Sequence, residues 1–435
     1  MTIKFLGMAN FRRPEQLSQK LEAKNILFVL TYQAIFTNLH ILIFKYTEFT
    51  MKKDQFDPLQ MLSAVGAGGI SVIPFSFLQY TFYTGKGLIT FNTIDFSTLK
   101  SYQSILFPLL LTIMAVFGTL HFVLSAQLYP KLLRWMKTPD YKSVEQNPLK
   151  NSALLTPFIA LAMSFNVFIA VVCFFVPFFS DNFQLLMAPA LALWSILWFF
   201  MLKREFEILK IAFSHSFNSD KINFSWLLHS FALSMVSVAG SGLAAMALNP
   251  TVAHIAAFMT VISGGLGIFI LTIVLFLSFK NQMASSSLPS ADESPAMLSL
   301  VPLLTLYSIT GFRLVHYFEK QFDSHIHWLA VFIVVSGFAF QTWYLAFSAT
   351  VMKDFFKDSF FKGEFRMSLW SLICPFVAYA VLGSFIYKFF IPNTALYTLI
   401  LLFSVAAISM FATVLFRQIR HTKSKTLNYR SRMAA

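Results

Sequence analysis

Ten long apolar runs, each near the ~20 residues that cross a bilayer as a helix, constrain this chain more than any other feature. They fall at about 60–83, 103–129, 153–179, 183–202, 224–248, 252–279, 296–318, 327–351, 368–390 and 395–416. Backbone amides inside lipid find no water, so a spanning segment is either a helix or part of a closed barrel. These runs are far longer than barrel strands, which leaves helices. Composition agrees, with 57% hydrophobic and only 12% charged residues, against roughly 25% charged in soluble domains. The expected fold is therefore an all-α polytopic membrane protein with ten transmembrane helices.

Charge predicts the arrangement of these helices. Short turns at Ser180-Asp181-Asn182, Asn249-Pro250 and Ile391-Pro392-Asn393 join helices within pairs, whereas longer, charged segments separate the pairs. The chain thus reads as five hairpins. Of its 33 Lys and Arg, all but Lys86, Lys100, Arg313, Lys320 and Lys388 fall before the first run, between pairs, or in the tail. The positive-inside rule puts that side in the cytoplasm, with both termini inside and the chain in the inner (cytoplasmic) membrane. The net charge of +14 is then topological. It faces anionic headgroups of the lipid bilayer rather than nucleic acid, which is excluded as a partner.

Three regions follow: a cytoplasmic N-terminal region at 1–59, a ten-helix transmembrane domain at 60–416, and a basic cytoplasmic tail at 417–435. Within the first, residues 25–45 are apolar and long enough to span, yet they carry Tyr32, Gln33, Thr37, Asn38 and His40. The segment reads as a cytoplasmic interfacial helix; an eleventh span is the open alternative. The N-terminus has no short apolar stretch with a small-residue cleavage site, so no removable signal peptide is expected. The Ser- and Pro-rich stretch 281–295 reads as a flexible loop.

Odd and even helices differ. The first helix of each pair carries small, polar or helix-breaking residues: Gly66, Gly68, Gly69 and Pro74; Ser164 and Asn166; Ser237, Gly240 and Ser241; Thr305, Ser308 and Gly311; Trp370, Cys374, Pro375 and Tyr379. Small residues let helices approach closely or leave room for a lumen, and a proline is tolerated where neighbours or water take the freed carbonyl. The recurrence predicts an inner ring of odd helices around a central pore, with these residues lining it. Ordinary tight packing is the competing reading of any one of them.

Arg313 is the sharpest single signal, because a guanidinium in a span costs a few kcal/mol unless it faces water or snorkels. In a lumen, Arg313 and His316 make an anion-attracting mouth. At the rim, Arg313 snorkels to headgroups or pairs with Glu319 or Asp323. His121 and His254 read as packing residues, and His229 as an interfacial one.

Two cysteines, Cys173 and Cys374, give neither a disulfide framework nor metal-ligand spacing, and no metal is expected. No nucleotide loop, zinc-protease motif or catalytic triad is legible, so neither an enzyme nor a cofactor is expected.

The runs LSAVGAGGISVIPF (62–75) and MSLWSLICPFVAYAVLG (367–383) resemble TsoY, a family of bacterial membrane proteins that includes selenoproteins. More distantly they resemble the superfamily of tellurite-resistance (TehA) and dicarboxylate transporters and plant slow anion channels. The resemblance implies ten helices in five hairpins, odd helices lining a central pore, and often a homotrimer. It also implies a constriction at Trp370, Cys374 and Pro375. In TehA and the plant channels a Phe closes the pore; Cys374 stands at that position here, putting a simple phenylalanine gate in doubt. The expected function is a channel or transporter for a small anion or weak acid. A membrane-embedded thiol redox protein using Cys374 is the alternative, against an inert, buried thiol.

Overall fold

The computed structural model describes residues 56–434 apart from Lys86, Thr98 and 215–218, with side chains as far as Lys423. The proposed interfacial helix at 25–45 lies outside the described residues. Among those described, ten helices are long and apolar enough to cross a membrane. Counting their 3-10 and π turns, they are α1 (Pro58–Phe82), α2 (Gln103–Trp135), α3 (Asn151–Phe175), α4 (Met187–Ser214), α5 (Phe224–Met246), α6 (Pro250–Ala284), α7 (Ser294–Phe322), α8 (His327–Val351), α9 (Met367–Phe389) and α10 (Thr394–Ala434). The chain is an all-α polytopic membrane protein.

The odd helices close a ring. α1 packs on α3, α3 on α5, α5 on α7, α7 on α9, and α9 returns to α1, while even helices lie against the outside. Burial follows this order: the most apolar windows of α1, α5, α7 and α9 are 94, 94, 67 and 89% buried, against 44, 33, 39, 22 and 22% for the even helices. The exception is α3, at 44%; α4 is shared between α3 and α5. There Trp194 Nε1 donates to the Val236 carbonyl at 3.0 Å. Large apolar side chains such as Phe258, Phe276, Phe332 and Leu402 face outward from the even helices, as they must where lipid is the solvent.

Proline explains how the two sets are built. Four odd helices begin with a 3-10 turn: Pro58–Gln60, Asn151–Leu155, Phe224–Trp226 and Met367–Ile373. α7 begins with a separate short turn, Ser294–Met297. Pro157 and Pro375 then occupy the first turn of the following α segment, where a missing N–H leaves no bond unmade. Pro375 therefore opens no gap in the helix body, contrary to the expectation that the odd prolines free backbone carbonyls. Among the odd helices Pro74 is the interior case, just before a π turn at Leu78–Phe82. The even helices are not free of proline either, since α2 contains Pro108 and Pro130.

Several even helices outrun their apolar stretches. α4 continues through Lys203-Arg204-Glu205 to Ser214, and α10 to Ala434, so the basic tail is helical. Arg204 secures the first of these extensions. Its Nη1 meets Glu145 Oε1 at 2.7 Å and its Nη2 donates to Tyr141 Oη at 2.6 Å, on the short helix Pro139–Glu145. The 281–295 stretch is helical to Ala284 and then pinned, with Asn223 Nδ2 donating to Glu293 Oε1 at 2.6 Å and Arg366 paired to Asp292 at 2.6 Å.

Candidate functional site

The ring of odd helices encloses a cavity of about 130 Å³ whose wall comes from α1, α3, α5, α7 and α9 alone. A water needs about 10–15 Å³ of such space, so a small anion fits together with some hydration. Most of the lining is apolar: Val65, Val72, Met163, Met235, Ile309 and Val377 are typical. Polar atoms come from Ser76, Tyr80, Asn166, Thr305, Arg313 and Cys374. Thr305 is already committed, with its hydroxyl 2.7 Å from Gln341 Oε1 and 3.2 Å from the Ala378 carbonyl.

Arg313 stands at the end of this wall farthest along α7. Its Nη1 donates to the Val238 carbonyl at 2.8 Å, and among the described residues no ion pair involves it. Glu319 instead lies 3.9 Å from His327. Gly242 leaves room for the guanidinium, since a Cβ there would come within 3.3 Å of Arg313 Nη1. A cation in an apolar wall with only a carbonyl partner keeps donors available for an anion, and low dielectric strengthens that attraction.

Aromatic rings crowd the same end. Tyr80 and Phe385 both line the cavity, with centroids 4.0 Å apart, and Phe312 meets Phe385 edge-on at 5.2 Å. Two π turns supply cavity residues, Tyr80 from Leu78–Phe82 and Ile169 with Ala170 from Phe168–Val172. Such turns rotate a helix face locally and recur at functional sites.

Of the residues singled out in the sequence, Gly69, Asn166, Thr305, Arg313 and Cys374 line the cavity. The rest pack between helices. Gly66 lies against Ile373, and Gly68 against Met163 and His121. Pro74 is buried within α1. Ser164 lies 2.9 Å from His121 Nε2, while His121 Nδ1 donates to the Ala64 carbonyl at 2.8 Å, so one imidazole ties α2 to both α1 and α3. Ser237 bonds Ser263 on α6 at 2.8 Å, Gly240 sits under Trp194 and Thr260, and Ser241 donates to the Val238 carbonyl. Ser308 and Gly311 face Gly337 and Ile333 of α8.

On α9, Tyr379 stacks on Phe403 at 4.1 Å and bonds Thr342. Trp370 donates to Gln418 Oε1 at 3.0 Å and packs on Phe411, which turns it toward α10. Pro375 follows Cys374 but is not in the cavity wall. His316 Nδ1 donates to the Phe312 carbonyl at 2.9 Å, one turn beyond Arg313. Cys374 and Cys173 are both buried free thiols, which gives a redox reading no support.

The expectation that His229 is an interfacial residue is overturned, and its partner was not singled out in the sequence. Glu205 of α4 and His229 of α5 are fully buried and bonded, His229 Nδ1 to Glu205 Oε1, at 2.9 Å. The far atoms, Glu205 Oε2 and His229 Nε2, have no hydrogen-bond partner among the described residues. A stripe was there to be read: Met201, Leu202, Glu205 and Ile208 share a buried face, at helical spacing that passes through the charged run.

Comparison with known proteins fits this architecture. The SLAC1 family model, described as "Voltage-dependent anion channel", matches residues 55–419. No curated protein and no solved structure matches.

Proposed function

Because the chain belongs to the SLAC1 family of voltage-dependent anion channels, a family of channels rather than catalysts, we propose that it conducts a small anion or weak acid through the cavity inside its odd-helix ring. One observation carries this reading: Arg313, a guanidinium with no ion-pair partner among the described residues, faces a mostly apolar cavity walled by all five odd helices. Such a cation attracts anions and repels cations, which sets selectivity before any tighter contact forms. The scarcity of carboxylates in the wall argues against a cation pathway.

Tyr80 and Phe385 line the cavity beside Arg313, with Phe312 packed edge-on against Phe385, and Cys374 lies toward the other end of the wall. The distribution of Lys and Arg supports placing both termini in the cytoplasm, with Arg313 toward the outer side of an inner membrane. Similarity at 62–75 and 367–383 supports kinship with TsoY proteins and, through the wider group, a trimeric assembly.

Reconstitution into liposomes tests the function. Purified protein should carry chloride, nitrate or a small carboxylate down its gradient, and potassium far less. Absence of flux for every anion tried, or equal potassium flux, refutes the proposal.

A further inference from the structure

Beyond the cavity, three ligand-type side chains converge where α7 meets α8. One ligand atom from each of His316, Glu319 and His327 lies within 4.8 Å of the others. We propose that these residues form a binding site for one divalent transition metal of the zinc class, which fastens the end of α7 to the start of α8.

Chain geometry makes the cluster. His316 and Glu319 are three residues apart on α7 and so share a face. A short turn, 323–326, brings His327 to the first position of α8. Its Nδ1 is 3.9 Å from Glu319 Oε2, and its ring centroid is 5.6 Å from that of His316. Tetrahedral zinc with bonds of ~2.0–2.1 Å sets its ligands about 3.3 Å apart. Side-chain torsions alone can close that difference, since the Glu319 and His327 side chains are 22 and 56% exposed and have room to turn.

The hydrogen bonding also favours a metal. The Phe312 carbonyl can only accept, so the proton of His316 is on Nδ1 and the lone pair on Nε2. Outer-shell bonds of this kind orient metal-binding histidines and raise their basicity. The neighbouring cation does not compete for Glu319, because Lys320 Nζ donates to the Ala247 carbonyl at 2.8 Å. Two imidazoles and one carboxylate suit zinc and its neighbours better than magnesium or calcium. A water would complete the coordination.

Metal binding by the full-length protein in detergent tests the site, independently of any anion flux. After chelator treatment, the wild type should take up one Zn²⁺ per chain and unfold at a higher temperature with it. Co²⁺ in its place should give the intense visible absorption of four-coordinate ligation. His316→Ala and His327→Ala should each weaken Zn²⁺ binding by at least about a hundredfold, since even outer-shell losses cost about 10–100-fold. Glu319→Gln, which preserves shape, should weaken it while leaving the metal-free unfolding temperature unchanged. His254→Ala should bind as wild type, because His254 is bonded to Tyr317 instead. No stoichiometric uptake by the wild type, or undiminished uptake by the His316 and Glu319 variants, overturns the proposal.

Discussion

Arg313 on α7 donates to the backbone carbonyl of Val238 on α5 at 2.8 Å, and that oxygen also accepts from Ser241. A neutral oxygen holds the guanidinium in place without cancelling its charge. This distinguishes the arrangement from a buried ion pair, where the two charges largely neutralise each other. The cation is fixed to the wall and still available to a solute.

Arg313→Gln should therefore lower anion flux by about tenfold or more and narrow the preference for anions over cations, since focused charge raises local anion concentration on that scale. Arg313→Lys should retain part of it. Reversal potentials across a salt gradient measure both. Unchanged selectivity in the Gln variant removes Arg313 from the pathway.

Phe385, in the cavity wall, contacts both Tyr80 and Phe312. Phe385→Ala should raise flux while costing stability, about 3–5 kcal/mol for a buried aromatic. Flux that falls in a well-folded variant indicates that the ring positions the pathway rather than narrowing it.

Cys374 separates transport from redox chemistry. Cys374→Ala should leave flux near the wild-type level, whereas a thiol mechanism predicts its loss.

The Glu205–His229 pair makes a prediction about stability. His229→Ala leaves a buried carboxylate alone and should destabilise the protein by about 3–5 kcal/mol. The double change Glu205→Leu with His229→Leu should cost less than that single one. Thermal unfolding in detergent gives the order, and a double variant worse than His229→Ala means the pair has a role beyond mutual compensation.

Gly240 probes the outer contacts of the ring. A Cβ there would overlap Trp194 and Thr260, so Gly240→Ala should cost about 1–3 kcal/mol by overpacking. Gly265, with open space around it, should tolerate Ala. Comparing the two melting temperatures checks whether the glycine acts through close approach.

Much of this protein was legible without coordinates. Hydropathy runs located all ten helices within a few residues, except where α2, α4, α6 and α10 continue as charged helix beyond the apolar stretch. Hydropathy measures what lipid tolerates, whereas a helix persists in water wherever its own face finds a partner. Glu205 was lost to view for that reason: it follows the apolar run, yet it faces His229. The difference between odd and even helices was also legible, because inner helices meet protein over more of their surface, where small and polar residues allow close approach and hydrogen bonds between helices.

Which of those residues meets the cavity could only be decided in three dimensions. Gly66, Gly68 and Gly69 are nearly adjacent in sequence, but a turn of about 100° per residue sends Gly68 to His121 and Gly69 to the cavity wall. Trp370 and Cys374 are one turn apart, and the 3-10 start of α9 directs the first to Gln418 and the second inward. Sequence alone determined membrane embedding, helix number and the presence of a special inner set, because these depend on composition summed over whole segments. The lining, the carbonyl under Arg313 and the cluster at His316 depend on the rotation of each helix about its axis, which packing between distant segments sets.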